Sequence, residues 1–289
     1  MKALVLGGGS EKGSYETGVI QCLLGDLNIR YDILCGVSVG AINAAFLAQF
    51  PSDQNQFAAS QLKELWATLT NDKIYKRHWP FGSWHAIWRG SLLNSEPLLE
   101  LVKSTISLDK IRASNKLVSV GAVSMSSGKY TVFTQNDDDF IDAVVASASF
   151  PGFFSPIKMR NETWVDGGCK QHTPIQMAID LGAYEMDIVM TSPETRIKHF
   201  IEEPSTVDII KRALDLSSDK IMSNDVDKLK MYNRLAEAGV SSKQYITARI
   251  IRPQYNLTDD LLDFNPVKLQ KMMDIGYEDA KSLLTVKDQ

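Results

Sequence analysis

A single serine between small residues is the strongest candidate for chemistry in this chain. In the stretch CGVSVGA, Cys35 to Ala41, Ser38 has one glycine two residues before it and another two residues after it. A strand-to-helix turn tight enough to expose a serine oxygen tolerates only small flanking residues, so Gly36 and Gly40 predict a nucleophile elbow. The same pattern also suits an ordinary tight turn in which the serine caps a helix. The nucleophile hypothesis therefore needs a group that takes the serine proton.

A glycine-rich loop precedes that serine in the chain. The loop GGGSEKG follows the apolar run KALVL and opens a helical stretch, so its free backbone N–H groups can meet negative charge. It lacks the Lys and Ser or Thr that follow the last glycine of a phosphate-binding loop, and a lysine stands where the dinucleotide-binding pattern has its third glycine. With a nucleophilic serine, such a loop is better suited to an oxyanion hole. The residues predicted to form it are Gly7, Gly8, Gly9, Lys12 and Gly13.

The third candidate stretch is WVDGG, in which Asp166 precedes Gly167 and Gly168. An Asp-Gly pair is a strong turn signal, and taken alone this stretch predicts a hairpin turn. Its chemical role therefore depends on what the fold brings beside it.

The hydrophobic pattern indicates the elements that position these residues. KALVL and YDILCG, each followed by a helical stretch, predict a βαβα start and hence a parallel sheet. KLVSVGAVSM, KYTVFTQ, ETWVDGG and AYEMDIVMTS predict further strands, and DDFIDAVVASASF predicts a helix. From Thr206 onward the pattern is mainly helical, apart from QYITARII. No repeat or clear linker divides the chain, so we expect one domain over 1–289, with the chemical motifs within 1–190 and a mostly helical part over 191–289.

The composition excludes several classes of function. A formal net charge of -4 argues against a nucleic-acid-binding surface. The three cysteines have no zinc-ligand spacing, and the acidic run Asp137 to Asp139 lacks the features of a calcium loop, so we expect no metal and no cofactor. No apolar run reaches the roughly 18 residues of a spanning helix, and the N-terminus has no secretory signal pattern. We therefore expect a cytoplasmic protein whose membrane contact, if any, is peripheral.

Together these stretches resemble the patatin-like phospholipases. The resemblance rests on GGGSEKGSYETGV, YDILCGVSVGAINAAFLA, and ASASFPGFF followed by WVDGGCKQHTPIQMAIDLGA, in that order. It implies a three-layer α/β fold with a central, mainly parallel sheet flanked by helices. It also implies a serine acyl-ester hydrolase of lipids or phospholipids, in which Ser38 works with Asp166 as a dyad through an acyl-serine intermediate, without a histidine. His172 stands where asparagine is more usual for the family, so its role stays open.

Two other functions remain open from the residues alone. One is an α/β-hydrolase esterase with a Ser-Asp-His triad, which needs a late histidine such as His199, although the elbow follows only one earlier strand. The other is a lipid-binding module that keeps the fold without activity.

Aromatic residues suggest where a lipid would bind. The segment Lys73 to Gly90 combines three tryptophans with four cations, and Trp84 and Trp88 lie one helical turn apart. They form either a face for lipid or membrane contact or an inward-packing helix face. Phe153 and its neighbours Phe150 and Phe154 either line an acyl pocket or fill the core.

Overall fold

The central sheet forms from short apolar segments that are buried on both faces. In β1 (Lys2–Leu6), Leu4 and Leu6 pack against one helical layer, whereas Ala3 and Val5 pack against the other. This alternation follows from the two-residue period of a strand. A sheet that is apolar on both faces must be covered on both faces, which gives three layers.

The computed structural model describes residues 1–77, 91–194, 206–240, 243–259 and 262–285. Within these ranges, strands alternate with helices along most of the chain. The strands are β1 (Lys2–Leu6), β2 (Ile33–Gly36), β3 (Lys76–Arg77), β4 (Leu93–Asn94), β5 (Leu117–Ser124), β6 (Tyr130–Thr134), β7 (Ile157–Met159), β8 (Glu162–Asp166), β9 (Glu185–Val189) and β10 (Thr247–Ile251). The helices are α1 (Gly13–Ile20), α2 (Val39–Ala48), α3 (Asn55–Ala67), α4 (Asn71–Ile74), α5 (Glu96–Thr105), α6 (Leu108–Ala113), α7 (Phe140–Ser147), α8 (Ile175–Asp180), α9 (Thr206–Glu237) and α10 (Pro266–Thr285).

The main sheet has eight strands in the order β10-β9-β1-β2-β5-β8-β7, with β6 paired to β5. The five strands from β10 to β5 run parallel, whereas β6, β8 and β7 add antiparallel pairs. The prediction of a central, mainly parallel sheet is therefore confirmed. A separate two-stranded ribbon joins β3 to β4.

The strand register brings the predicted motifs to one edge of the sheet. Leu6 pairs with Gly36, so the glycine loop after β1 and the serine turn after β2 leave the sheet side by side. Asp166, the last residue of β8, pairs with Ala122 of β5. Ala122 is two residues beyond Val120, which pairs with Gly36 of β2. Ligands bind at the carboxyl ends of parallel strands in open α/β sheets, and all three motifs meet there.

Helices cover the two faces unequally. The larger core packs α1, α2, α3, α5, α7 and α10 against one face, and the smaller core packs α8 and α9 against the other. The last helix packs closely on the first, because a Cβ at Gly18 would lie 1.8 Å from the carbonyl oxygen of Met273, and one at Gly276 would lie 2.1 Å from that of Tyr15. The C-terminal part of the chain thus supports the N-terminal motifs directly.

Some elements differ from the sequence prediction. The first helix becomes π-helical over Gln21–Asp26. The predicted helix DDFIDAVVASASF is shorter and begins at Phe140, because the preceding acids bind arginines: Asp137 and Asp139 pair with Arg160, and Asp138 pairs with Arg112. Each acid of this run therefore has an arginine partner.

Two observations concern the state of the cysteines and the possibility of a membrane-spanning helix. Cys22, Cys35 and Cys169 are free. No helix within the described ranges is long and apolar enough to cross a membrane.

Candidate active site

Ser38 occupies a sharp turn between β2 and α2. Its backbone has φ 56° and ψ -127°, which a non-glycine residue rarely adopts. The turn closes because its neighbours lack side chains: a Cβ at Gly36 would lie 2.1 Å from the carbonyl oxygen of Gly40, and one at Gly40 would lie 2.4 Å from that of Leu6. This is the geometry of a nucleophile elbow, in which a serine sits on a strained strand-to-helix turn.

The segment ASASFPGFF ties this serine to the aspartate. The backbone amide of Ser38 donates to the Oγ of Ser147 at 3.0 Å, and Ser147 is completely buried. The backbone amide of Asp166 donates to the carbonyl oxygen of Ser149, also at 3.0 Å. Two serines at the end of α7 therefore hold both predicted site residues. Ser147 stands outside the motifs that the sequence singles out, although a serine at a small-residue helix end is a weak signal for such a role.

Asp166 lies in a sheltered site, with 1% of its surface exposed. Its Oδ1 accepts a 2.7 Å hydrogen bond from the amide of Gly168, two residues on. Burial raises the pKa of Asp166 to about 7, against the opposing effect of hydrogen bonding by the Ser38 side chain and the Gly168 amide. The Ser38 side chain thus lowers the pKa of this carboxyl group. Within the described residues, however, Oδ2 of Asp166 accepts no hydrogen bond of ordinary geometry. A carboxylate with a pKa near neutrality and an uncommitted oxygen is suited to accept a proton.

Most amides of the glycine loop are engaged within the protein. Gly7 donates to Val189 and Gly8 donates to His172, each at 3.1 Å, and Lys12 donates to Gly9 at 3.1 Å. The amide of Gly13 closes the 3-10 turn Ser10–Lys12. Gly13 also packs tightly, because a Cβ there would lie 2.4 Å from Cγ2 of Val39.

Three other amides beside the serine have no acceptor among the described residues: those of Gly9, Ser10 and Val39. All three residues line the cleft that contains Ser38. The sequence pattern located the loop, but only the structure distinguishes the amides that already donate hydrogen bonds within the protein from those that do not.

Gly8 and Gly9 lie where no side chain fits easily. A Cβ at Gly8 would lie 3.2 Å from the Cβ of Ser38 and 3.4 Å from Nε2 of His172. A Cβ at Gly9 would lie 2.3 Å from Oγ1 of Thr191, whose hydroxyl donates to the carbonyl oxygen of Gly8. The loop therefore forms one wall beside Ser38, with His172 on the same wall.

A buried polar network contacts the glycine loop at Gly13. Glu16 on α1 is completely buried, and its Oε2 accepts a 2.8 Å hydrogen bond from the side-chain amide of Asn43 on α2. The same amide also bonds the carbonyl oxygen of Gly13, and the indole N–H of Trp66 donates to Oδ1 of Asn43. Burial raises the pKa of Glu16 well above its ordinary value, and the hydrogen bond from Asn43 opposes that shift. This network has no local sequence signature.

An apolar cleft leads away from Ser38 and Asp166. Phe153 lines it, as do Phe150 and Phe154. Phe154 is buried and belongs to the larger core as well. The other apolar lining residues are Ile42, Leu65, Trp66, Leu69, Ile74, Leu98 and Leu101. Lys12 lines the cleft near the serine. The cleft is suited to a long apolar group whose reacting end lies at Ser38.

Several predicted residues fall outside the described ranges: Trp84, Trp88, His78, His85 and His199. In the parts of the chain that the structure describes, no group of three or more His, Cys, Asp or Glu side chains could hold a metal ion.

A three-layer α/β fold, a serine on a nucleophile elbow and an adjoining apolar cleft are together typical of lipid acyl hydrolases. The chain belongs to the patatin-like phospholipase family, whose model matches residues 4–179, more than half of the sequence. As a member of that family it is a lipid hydrolase.

The chain is similar to several known proteins. The chain is 27% identical over 271 residues to the probable lipid hydrolase 463L of Invertebrate iridescent virus 6, covering 85% of this chain and 90% of that protein. It is 24% identical over 197 residues to YjjU of Escherichia coli (strain K12), covering 66% of this chain and 52% of YjjU. Among solved structures it is similar to VipD from Legionella pneumophila, with a TM-score of 0.49 and 13% identity, over 99% of this chain and 67% of VipD.

Proposed function

We propose that this protein hydrolyses acyl esters of lipids or phospholipids through a dyad of Ser38 and Asp166. The observation that carries the proposal is the pairing of a serine on a strained elbow with a buried carboxyl group whose pKa is raised to about 7. A raised pKa makes the carboxylate of Asp166 a stronger base than that of an exposed aspartate.

The first half-reaction forms an acyl-enzyme. Asp166 accepts the hydroxyl proton of Ser38 as its Oγ attacks the ester carbonyl carbon, and the carbonyl oxygen becomes negatively charged. The amides of Gly9, Ser10 and Val39, which have no acceptor among the described residues, are the proposed donors to that oxygen. When the tetrahedral intermediate collapses, the carbon–oxygen bond to the alcohol breaks and the alcohol takes the proton from Asp166.

The second half-reaction restores the enzyme. Asp166 takes a proton from a water molecule, which attacks the carbonyl carbon of acyl-Ser38. The intermediate then releases the fatty acid, and the proton returns to the Oγ of Ser38. The apolar cleft is the proposed site for the acyl chain in both steps, with Phe153 in its wall.

A serine-reactive fluorophosphonate probe and a mixed lipid extract test this function together. Wild-type protein is expected to label once and to release fatty acids and deacylated lipids, which mass spectrometry identifies. Ser38→Ala is expected to lose both signals, because removing a serine nucleophile costs on the order of 10⁶ in turnover. The matched control is Ser119→Ala on β5, a buried serine that bonds to Cys35 behind the site. A folded Ser38→Ala variant that still labels contradicts the proposal, and a wild-type protein that neither labels nor hydrolyses indicates a lipid-binding module.

A further inference from the structure

A buried carboxylate on α9 holds the segment that follows the Asp-Gly motif. Asp225 is 2% exposed, and its Oδ2 accepts the consecutive backbone amides of His172 and Thr173, each at 2.9 Å. Hydrogen bonds to a charged acceptor are about twice as strong as neutral ones. Asp225 lies outside residues 4–179, to which the family model applies.

The same segment contacts the glycine loop. The carbonyl oxygen of His172 accepts the amide of Gly8 at 3.1 Å. Gly8 in turn faces Ser38, whose Cβ would lie 3.2 Å from a Cβ at Gly8. A continuous path of short contacts therefore runs from Asp225, through the His172 backbone and Gly8, to the wall beside the nucleophile.

The charge of Asp225 is balanced locally. The Nζ of Lys228, one turn along α9, lies 3.8 Å from Oδ1. Burial raises the pKa of Asp225 to about 6, against the two amides and Lys228, which favour the charged form. The carboxylate is thus mainly ionised at pH 7, although its Oδ1 makes no hydrogen bond within the described residues.

We propose that Asp225 is a positioning residue for the hydrolytic site. By fixing the backbone at His172 and Thr173 it fixes Gly8, and through Gly8 it sets the direction of the available amides of Gly9 and Ser10. This role rests on the proposed function, because it concerns the oxyanion donors of that reaction. A residue that only stabilised the fold would change the free energy of unfolding without changing turnover in the folded protein.

Steady-state kinetics on a soluble short-chain ester distinguish the two roles. Asp225→Ala leaves two buried amides without their acceptor, and kcat is expected to fall by on the order of 10²-fold, the cost of a displacement of about 1 Å, while KM stays nearly constant. Asp225→Asn retains a carbonyl oxygen for both amides and is expected to restore most of kcat. The matched control is Asp227→Ala, an exposed aspartate two residues on that pairs with Lys230 at 3.6 Å.

Amide hydrogen exchange reports on the contact without any activity. Asp225→Ala is expected to lose protection in peptides that contain Gly8 and in those that contain His172 and Thr173, whereas Asp225→Asn keeps it. If Asp225→Ala does not fold, Asp225→Ser, whose hydroxyl is too short to reach both amides, takes its place. The proposal is overturned if the folded Ala or Ser variant keeps wild-type kcat, or if Asp225→Asn loses as much as Asp225→Ala. A wild-type protein with no hydrolytic activity overturns the proposed function instead, while exchange still tests the contact.

Discussion

The backbone amide of Ser38 donates a 3.0 Å hydrogen bond to the hydroxyl oxygen of Ser147, which is 109 residues away in sequence and completely buried. Ser38 has a positive φ, and such a conformation persists only where the surrounding structure over-determines it. Ser149, two residues after Ser147, binds the amide of Asp166. The end of α7 therefore sets both members of the proposed dyad relative to one another.

Removal of the Ser147 hydroxyl is expected to disturb both the nucleophile and the fold. Ser147→Ala leaves the partly buried amide of Ser38 without this acceptor, which costs about 1 kcal/mol in the free energy of unfolding. We expect kcat on a soluble ester to fall about tenfold, since a small shift of the elbow misaligns the attack. Ser104→Ala, at an exposed serine on α5, is the control. Chemical denaturation and kinetics on the same samples make the test, and an unchanged kcat in the destabilised variant would assign Ser147 to the fold alone.

Side chains on the glycine loop are expected to impair catalysis. Ala at Gly9 would clash with Thr191, and Ala at Gly8 would crowd Ser38 and His172, so both changes move the loop. Because losing one good oxyanion donor costs on the order of 10²–10³ in turnover, we expect that loss from Gly9→Ala and a smaller one from Gly8→Ala. In Gly25→Ala the new Cβ would meet nothing closer than 3.7 Å, which makes it the control. Wild-type turnover in folded Gly8→Ala and Gly9→Ala would indicate that the loop does not stabilise the oxyanion.

The sequence predicts what local patterns encode. Ser38 and Asp166 stand in recognisable motifs, and the strand and helix periods locate the elements that hold them. The antiparallel insertion of β8 next to β5 has no such signature, because the pairing of strands depends on the whole sheet. The resemblance to a family supplied the proposed partnership of Ser38 and Asp166, which neither motif indicates alone.

Long-range polar contacts account for most of what the sequence did not predict. Asp225 bonds to a backbone amide 53 residues away, and nothing near it in the sequence indicates a buried role. Asn43 connects Glu16 to Trp66 across three helices in the same way. Which amides beside Ser38 lack an acceptor also escaped prediction, because a run of glycines does not reveal which amides already donate hydrogen bonds within the protein. The single-domain prediction over 1–289 stays a prediction.

The tryptophan-rich segment is expected to act at lipid surfaces, although Trp84 and Trp88 lie outside the described residues. We expect the double change Trp84→Ala and Trp88→Ala to weaken binding to phospholipid vesicles and turnover of aggregated lipid several-fold, because interfacial tryptophans contribute binding to bilayers. Turnover of a soluble ester should be unaffected. Phe57→Ala removes an exposed aromatic on α3 as a control. Equal losses on both substrates, or a lowered thermal transition, would indicate inward packing.

Histidines are expected to be dispensable for chemistry. The contacts of His172 with Asp225 and Gly8 use its backbone, so His172→Ala retains them and is expected to keep most of the activity on a soluble ester. We expect the same of alanine at His78, His85 and His199. Rates of acyl-enzyme formation, measured by stopped flow, make the test. Loss of acylation in any folded single histidine variant would revive the triad.

The pH dependence of activity should follow the carboxyl group of Asp166, whose pKa is raised to about 7. A base acts in its deprotonated form, so kcat/KM is expected to rise about tenfold per pH unit below pH 7 and to level off above it. Asp166→Asn cannot accept the proton and should abolish turnover at every pH. A residual activity that keeps the same acidic limb in Asp166→Asn would assign the limb to another group.

The same burial predicts that Asp166 destabilises the folded protein at neutral and alkaline pH. In the unfolded chain an aspartate loses its proton near pH 3.9, whereas in the folded protein Asp166 keeps it until about pH 7. Between these values the folded state binds more protons, so the contribution of Asp166 to the free energy of unfolding decreases as the pH rises, and the whole penalty is present above pH 7.

Asp166→Asn removes this ionisation. Relative to wild type, the variant should therefore gain on the order of a few kcal/mol more at pH 8 than at pH 4, at about 1.4 kcal/mol for each unit by which the pKa is raised. Urea unfolding of both proteins at the two pH values measures this difference, in which the other titrating groups cancel. An equal difference at pH 4 and pH 8 would mean that Asp166 ionises in the folded protein as it does in water, and it would then lack the basicity that the dyad requires.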